Sequence, residues 1–246
     1  MASFLSNLFK LTSGTLVAQV AAVLLIPVVT RIYAPEFFGV NQLFLSIATV
    51  LTVISSFSYH FAIMVTEKDE DSVNVLALCV VCILGVSALV GVIFAWLGDW
   101  FGNLLNMPVI ADYLILLPFF VTFSSIFVVL NEWLSRKLRY GTIARGTVIN
   151  SVSTRIFQIG AGLIHASPLG LILGSVVGAG LAILPHLRSL REDAPLLKSV
   201  TPGQMKDLAG RYSHFALYAS LGSLANSASW ELPAFMLAYF FNPVIV

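Results

Sequence analysis

The chain of 246 residues is divided into long apolar spans, and its charges are confined to the short gaps between them. Lys10 to Arg31 encloses 20 residues without Asp, Glu, Lys or Arg, Glu36 to Glu67 encloses 30, and Asp71 to Asp99 encloses 27. Asp112 to Glu132 encloses 19 such residues and Arg155 to Arg188 encloses 32. A hydrocarbon core about 30 Å thick takes about 20 apolar residues of helix. Lipid offers no partner to a backbone N–H or C=O, so each span must satisfy its own hydrogen bonds as a helix. The pattern predicts an all-α polytopic membrane protein with seven spans, at 12–33, 39–62, 73–97, 112–134, 147–165, 168–187 and 213–240. Only 10% of residues are charged, against about 25% in a soluble domain.

The distribution of charge predicts direction. With the N-terminus inside, the inner gaps hold Lys10, Lys68, the run Arg136 to Arg145 and the stretch Arg188 to Arg211. These account for 11 of 13 Lys and Arg, with Arg31 alone outside and Arg155 within a span. Cationic loops stay cytoplasmic, so a cytoplasmic N-terminus is expected. Trp96 and Trp100 at one end, and Trp133 at the other, stand where interfacial aromatics belong. The longest connection, 188–212, contains Thr201-Pro202, an N-cap followed by proline at the first helical position. Met205, Leu208, Ala209 and Tyr212 then recur at helical spacing, which predicts an amphipathic helix on the inner surface.

The seventh span repeats features of the first. Pro27 in L-L-I-P-V-V-T-R-I-Y-A-P has a counterpart in Pro233 of W-E-L-P-A-F-M-L-A-Y-F-F-N-P, and Ser13 to Val17 faces Gly222 to Ala225. The second unit begins six spans after the first, an even number, which makes such a repeat parallel. The expected organisation is a first transmembrane lobe at 1–187, a cytoplasmic amphipathic linker at 188–212, and the first helix of a truncated second lobe at 213–246.

Few residues could carry chemistry. A charge within a span is costly and marks function by default. Arg155 is expected either to meet a phosphate inside a cavity, which guanidinium suits, or to pair with Glu132, Glu231 or helix carbonyls. Glu231 either takes up a coupling proton or cation, or approaches the outer interface beside Trp230. Arg31 is either an interfacial anchor or a gate for substrate, and Glu132 beside Trp133 reads as an anchor. Pro27 and Pro233 each remove a helix hydrogen bond and are candidate hinges or static kinks, whereas Pro118 stands near a helix start. Gly170, Gly174 and Gly178 form a small-residue stripe suited to close helix approach. Arg136-Lys137-Leu138-Arg139-Tyr140 is a basic patch for anionic headgroups or for substrate capture. Cys79 and Cys82 read as small residues of a packed helix. His60, His165, His186 and His214 are scattered without metal-ligand spacing, so no metal and no cofactor is expected. No Ser-His-Asp order, paired carboxylates or H-E-x-x-H points to an enzyme, and no nucleic-acid partner is expected.

Several segments resemble the polysaccharide flippases, the oligosaccharide-lipid branch of the superfamily that includes multidrug and toxic-compound extruders. Pro27 to Gly39 resembles the opening signature of that family. Tyr59-His60-Phe61-Ala62-Ile63-Met64, followed by Lys68-Asp69-Glu70-Asp71, resembles its R-Y-E-x-A-I segment and acidic loop, although Ser58 and His60 stand where Arg and Glu are usual. Asn131 to Gly162 resembles the inner hairpin and fifth helix, and Arg211 to Tyr218 the entry to the seventh, with Ala216 where Pro is common. The resemblance implies two lobes of six or more helices around a central cavity, working by alternating access. It implies a flippase of the bacterial inner membrane for O-antigen, capsule or exopolysaccharide, moving a polyprenyl-diphosphate-linked oligosaccharide to the outer leaflet. The chain would then be incomplete, and its partners would be the lipid-linked oligosaccharide, the bilayer, and a polymerase machinery or a separately encoded second half. Alternatives are a cation-coupled multidrug antiporter, whose early helices should carry acids that these lack, and a glycan polymerase or glycosyltransferase component, which should carry a large charged loop.

Overall fold

A computed structural model describes residues 16–240 apart from 17 and 21. The expected start of the first span, Lys10 and Ser13 to Thr15 lie outside the described residues, as does the end beyond 240. The helices are α1 (Ala18–Ile32), α2 (Pro35–Ser55), α3 (Ala62–Val65), α4 (Asp69–Leu104), α5 (Ala111–Leu114) and α6 (Leu117–Arg136). They continue with α7 (Tyr140–Ile164), α8 (Pro168–Leu190), α9 (Ala194–Leu197), α10 (Pro202–Arg211) and α11 (Ser220–Phe240). No strand occurs among the described residues. Each of the seven expected spans meets one long helix, and the chain is an all-α polytopic membrane protein.

Local sequence explains the boundaries. Pro35, Pro118, Pro168 and Pro202 each occupy the first or second position of a helix, where a missing N–H costs nothing. Asp69, Glu70 and Asp71 fill the first turn of α4, where negative charge opposes the helix dipole. The far end of α4 closes on Asn106 in left-handed conformation (φ 53°), with Met107 N–H bonded to Gly102 C=O. The turn after α6 uses the same device at Leu138 (φ 55°), with Arg139 N–H bonded to Leu134 C=O. Helix α4 has 36 residues, so at 1.5 Å per residue it extends about 54 Å and projects beyond a bilayer core.

Four helices are long and apolar enough to cross a membrane: Pro35–Ser55, Asp69–Leu104, Leu117–Arg136 and Pro168–Leu197. Helices α7 and α11 fall short because they carry polar side chains, among them Asn150, Thr154, Arg155 and Gln158 on α7 and Ser223, Asn226, Ser227 and Glu231 on α11. Polar groups in a membrane face protein or a cavity rather than lipid.

Among the described residues, the gaps that the charge count assigns to one side form one end of the bundle. Arg136 at the end of α6 reaches Asp69 and the carbonyls of Ile63 and Thr66. Arg139 reaches Ser189 and Asp193 beyond α8. Asn74, fully buried on the first turns of α4, donates to Ser199 C=O and Gln204 Oε1 and accepts from Thr201 N–H, which ties the linker down. At the opposite end, Asn106 donates to Tyr239 C=O. The long helices therefore alternate in direction, α11 lies along α2, and α7 with α8 forms the most extensive helix pair.

Two expectations at the charged end need correction. Trp133 is not an interfacial residue: it is fully buried, and its Nε1–H donates to Asp193 Oδ2 at 2.9 Å. The basic patch is not an open surface either. Arg136 and Lys137 both pair with Asp69, and Arg139 pairs with Asp193, leaving the three side chains only 15%, 18% and 26% exposed. The amphipathic helix at 202–211 is present, with Thr201 Oγ1 accepting Gln204 N–H as its cap, and Leu208 buried on the body of the protein. The seventh span opens as a π-turn at Phe215–Ala219 rather than as regular α-helix.

Candidate functional site: two cavities that share a wall

The glycine stripe on α8 decides where the polar residues of α7 lie. A Cβ on Gly178 would sit 2.0 Å from Thr154 Oγ1, and one on Gly174 would sit 2.5 Å from Gln158 Cγ and 3.0 Å from the Thr154 carbonyl. A Cβ on Gly170 would meet the Tyr33 hydroxyl at 2.4 Å. The stripe thus does more than permit general approach: it seats Thr154, Gln158 and Tyr33 in turn. Tyr33 lies between the two helices with its hydroxyl donating to Gln158 C=O at 2.6 Å, and Gly162 leaves room for its ring.

Gln158 is 2% exposed, and both ends of its amide are engaged. Nε2 donates to Leu171 C=O of α8 at 3.0 Å, which turns Oε1 toward Arg155, whose Nη1 donates to it at 2.8 Å. Neither Glu132 nor Glu231 forms an ion pair with Arg155. Ion pairs among the described residues involve only Arg136, Lys137 and Arg139 as cations. The guanidinium is therefore held by a neutral amide and keeps its remaining donors for something else.

Arg155 lines a cavity of about 970 Å³, with Thr154 and Gln158 beside it, Asn41 and Gln42 on α2, and Glu231 on α11. The Oδ1 atom of Asn41 is buried there without a hydrogen-bond partner among the described residues. Pro233 lines this cavity, whereas Pro27, on α1, does not; its carbonyl accepts from Thr30. Arg31 is exposed at the end of α1 and lines neither this cavity nor the next, so it is not brought together with Arg155.

A second cavity, of about 460 Å³, lies nearer the charged end between α2, α6 and α11. Trp230 and Glu231 line both cavities. Both volumes fall within the range of about 300–1,000 Å³ typical of ligand sites. Cys79 is buried in the core, Cys82 is half-buried one turn away, and both are free thiols.

Sequence reasoning singled out Arg155, Glu231 and Pro233, and the structure sets all three around one space. It passed over Gln158 and Asn41. The three-residue step from Arg155 to Gln158 on one helix face was the signal available for the first; none pointed to the second.

No curated protein and no solved structure matches the chain. The family model described as polysaccharide biosynthesis protein matches residues 28–244, a stretch that holds every residue of both cavities outside Ile26. With that match over most of its length, the chain belongs to the polysaccharide biosynthesis protein family.

Proposed function

We propose that this membrane protein is a flippase that carries a polyprenyl-diphosphate-linked oligosaccharide between leaflets during polysaccharide biosynthesis. The observation that carries the reading is Arg155: a cation within a span, without a carboxylate partner among the described residues, lining a cavity of about 970 Å³. Guanidinium matches phosphate oxygens in geometry and charge, and a diphosphate supplies the counter-charge that the protein withholds. Glu231 on the facing helix is the candidate for taking up a coupling proton or cation, and Pro233 beside it is a candidate hinge. In this reading 1–187 is one lobe, 188–212 a cytoplasmic linker and α11 the first helix of a second lobe. The protein lies in a bacterial inner membrane with its N-terminus cytoplasmic, acts by transport rather than by catalysis, and has the lipid-linked oligosaccharide and the bilayer as partners.

The test is reconstitution in liposomes with a fluorescent polyprenyl-diphosphate oligosaccharide, scored by accessibility in each leaflet. Arg155→Ala should abolish translocation while folding and insertion stay normal, and Arg155→Lys should restore part of it. Translocation at full rate by Arg155→Ala would end the proposal.

A further inference from the structure

Among the described residues, Gln158 is the one side chain that holds the Arg155 guanidinium, and it does so without cancelling the charge. Its amide has no choice of direction. Leu171 C=O can only accept and Arg155 Nη1–H can only donate, so Nε2 must face the first and Oε1 the second. A half-turn of the amide would set acceptor against acceptor and donor against donor.

The supports of the amide are fixed in their turn. The Leu171 carbonyl also accepts from Ser175 Oγ at 3.1 Å, which uses both of its sides. The Gln158 carbonyl accepts from the Tyr33 hydroxyl, and the absence of a side chain at Gly174 leaves the room that Gln158 Cγ fills. Contacts from the end of α1 and from α8 thus converge on one buried side chain of α7. Holding a flexible side chain in its bound geometry beforehand lowers the cost of binding.

Neutrality is the second half of the device. A carboxylate in place of the amide would also accept from Arg155, but it would turn an oxygen on Leu171 C=O and offset the cation. An apolar side chain would leave the guanidinium charged and free to rotate. The amide orients Arg155 through one of its five N–H donors and leaves four, with the full charge, for a ligand.

We infer that Gln158 is a positioning residue for the contact between Arg155 and a diphosphate: it fixes the guanidinium at the cavity wall and keeps it charged. The inference rests on the flippase reading and deepens it, because it names the side chain that prepares the cation before the substrate arrives.

Inorganic pyrophosphate is the probe, titrated calorimetrically into the full chain in phosphatidylcholine nanodiscs at pH 8 and pH 5. Arg155→Ala should lose binding. Gln158→Leu should bind at least about tenfold more weakly than the unaltered chain at both pH values. Gln158→Glu should be weakened as much at pH 8 and should approach the unaltered chain at pH 5. There a protonated carboxyl again offers a donor to Leu171 C=O and an acceptor to Arg155. Asp193→Ala, a change outside the cavity that loosens the fold, should bind as the unaltered chain does. Normal binding by either Gln158 variant at pH 8 overturns the positioning role and leaves the reading of Arg155 intact. So does a Gln158→Glu loss that is equal at both pH values, or a loss by Asp193→Ala as large as that by Gln158→Leu. Normal binding by Arg155→Ala, or none by the unaltered chain, refutes the diphosphate contact itself and the positioning role with it.

Discussion

The clasp between Asp193, Arg139 and Trp133 can be broken by a single substitution. Asp193 is nearly buried, and its carboxylate accepts Trp133 Nε1–H, Arg139 Nη1–H and Arg139 Nη2–H, all at 2.9 Å. Removing one partner of a buried pair costs about 3–5 kcal/mol. Arg139 is 26% exposed and keeps Ser189 C=O at 2.8 Å, so its share falls below that range. Trp133 has no exposure, and its orphaned N–H costs a further 1–3 kcal/mol, roughly. The expected loss for Asp193→Ala is therefore about 3 kcal/mol. At about 2–4 °C per kcal/mol for a chain of this length, the melting temperature should fall by about 6–12 °C. Cys79 and Cys82 provide the assay, since a thiol-reactive fluorophore reports their exposure as the purified protein unfolds on heating. Asp193→Asn, which keeps an acceptor for Trp133, should lose about half as much, and the cycle with Arg139→Gln should show coupling above about 1 kcal/mol. A shift under about 2 °C for Asp193→Ala, or strict additivity in the cycle, would mean that the clasp behaves as a solvated surface pair and that the burial argument is wrong.

Three further substitutions test the packing. Gly174→Ala puts a Cβ within 3.0 Å of the Thr154 carbonyl and should cost about 1–3 kcal/mol in the same thermal assay, whereas Gly85→Ala, with nothing within 4 Å, should stabilise by up to about 1 kcal/mol. Leu138→Gly relieves a left-handed residue that is 63% exposed and should raise the melting temperature by about 1–3 °C; a fall would show that Leu138 packs against something it needs. Asn74→Ala leaves Thr201 N–H without its acceptor, and hydrogen exchange across residues 199–204 should quicken at least tenfold while α4 beyond its first turns stays protected.

The order of the long helices was legible because lipid imposes one rule on every span, and the grouping of charged gaps at one end of the bundle was legible from the charges themselves. The linker helix was legible from Thr201-Pro202, a purely local signal. What failed was orientation about the helix axis. Trp133 carries the composition of an interfacial residue, yet its partner Asp193 is 60 positions away in a connection whose path no local pattern shows. Arg136, Lys137 and Arg139 looked like one surface cluster for the same reason: their partners arrive from other gaps. Arg155 and Glu231 were legible as exceptions to the apolar rule, but not as neighbours of one cavity, because that depends on α11 lying along α2. The polar character of α7 and α11, which makes them poor membrane spans by composition, was the available clue that these two line a cavity.

Because Trp230 and Glu231 line both cavities, a ligand that displaces either side chain in one space is coupled to whatever occupies the other. Whatever presses on Trp230 from one side changes the surface offered on the other, and such coupling is reciprocal in free energy. A ligand that reaches both sides also enters the second space as an intramolecular event, at an effective concentration that a free fragment does not have. A ligand long enough to touch both spaces would be held more firmly than either of its ends alone.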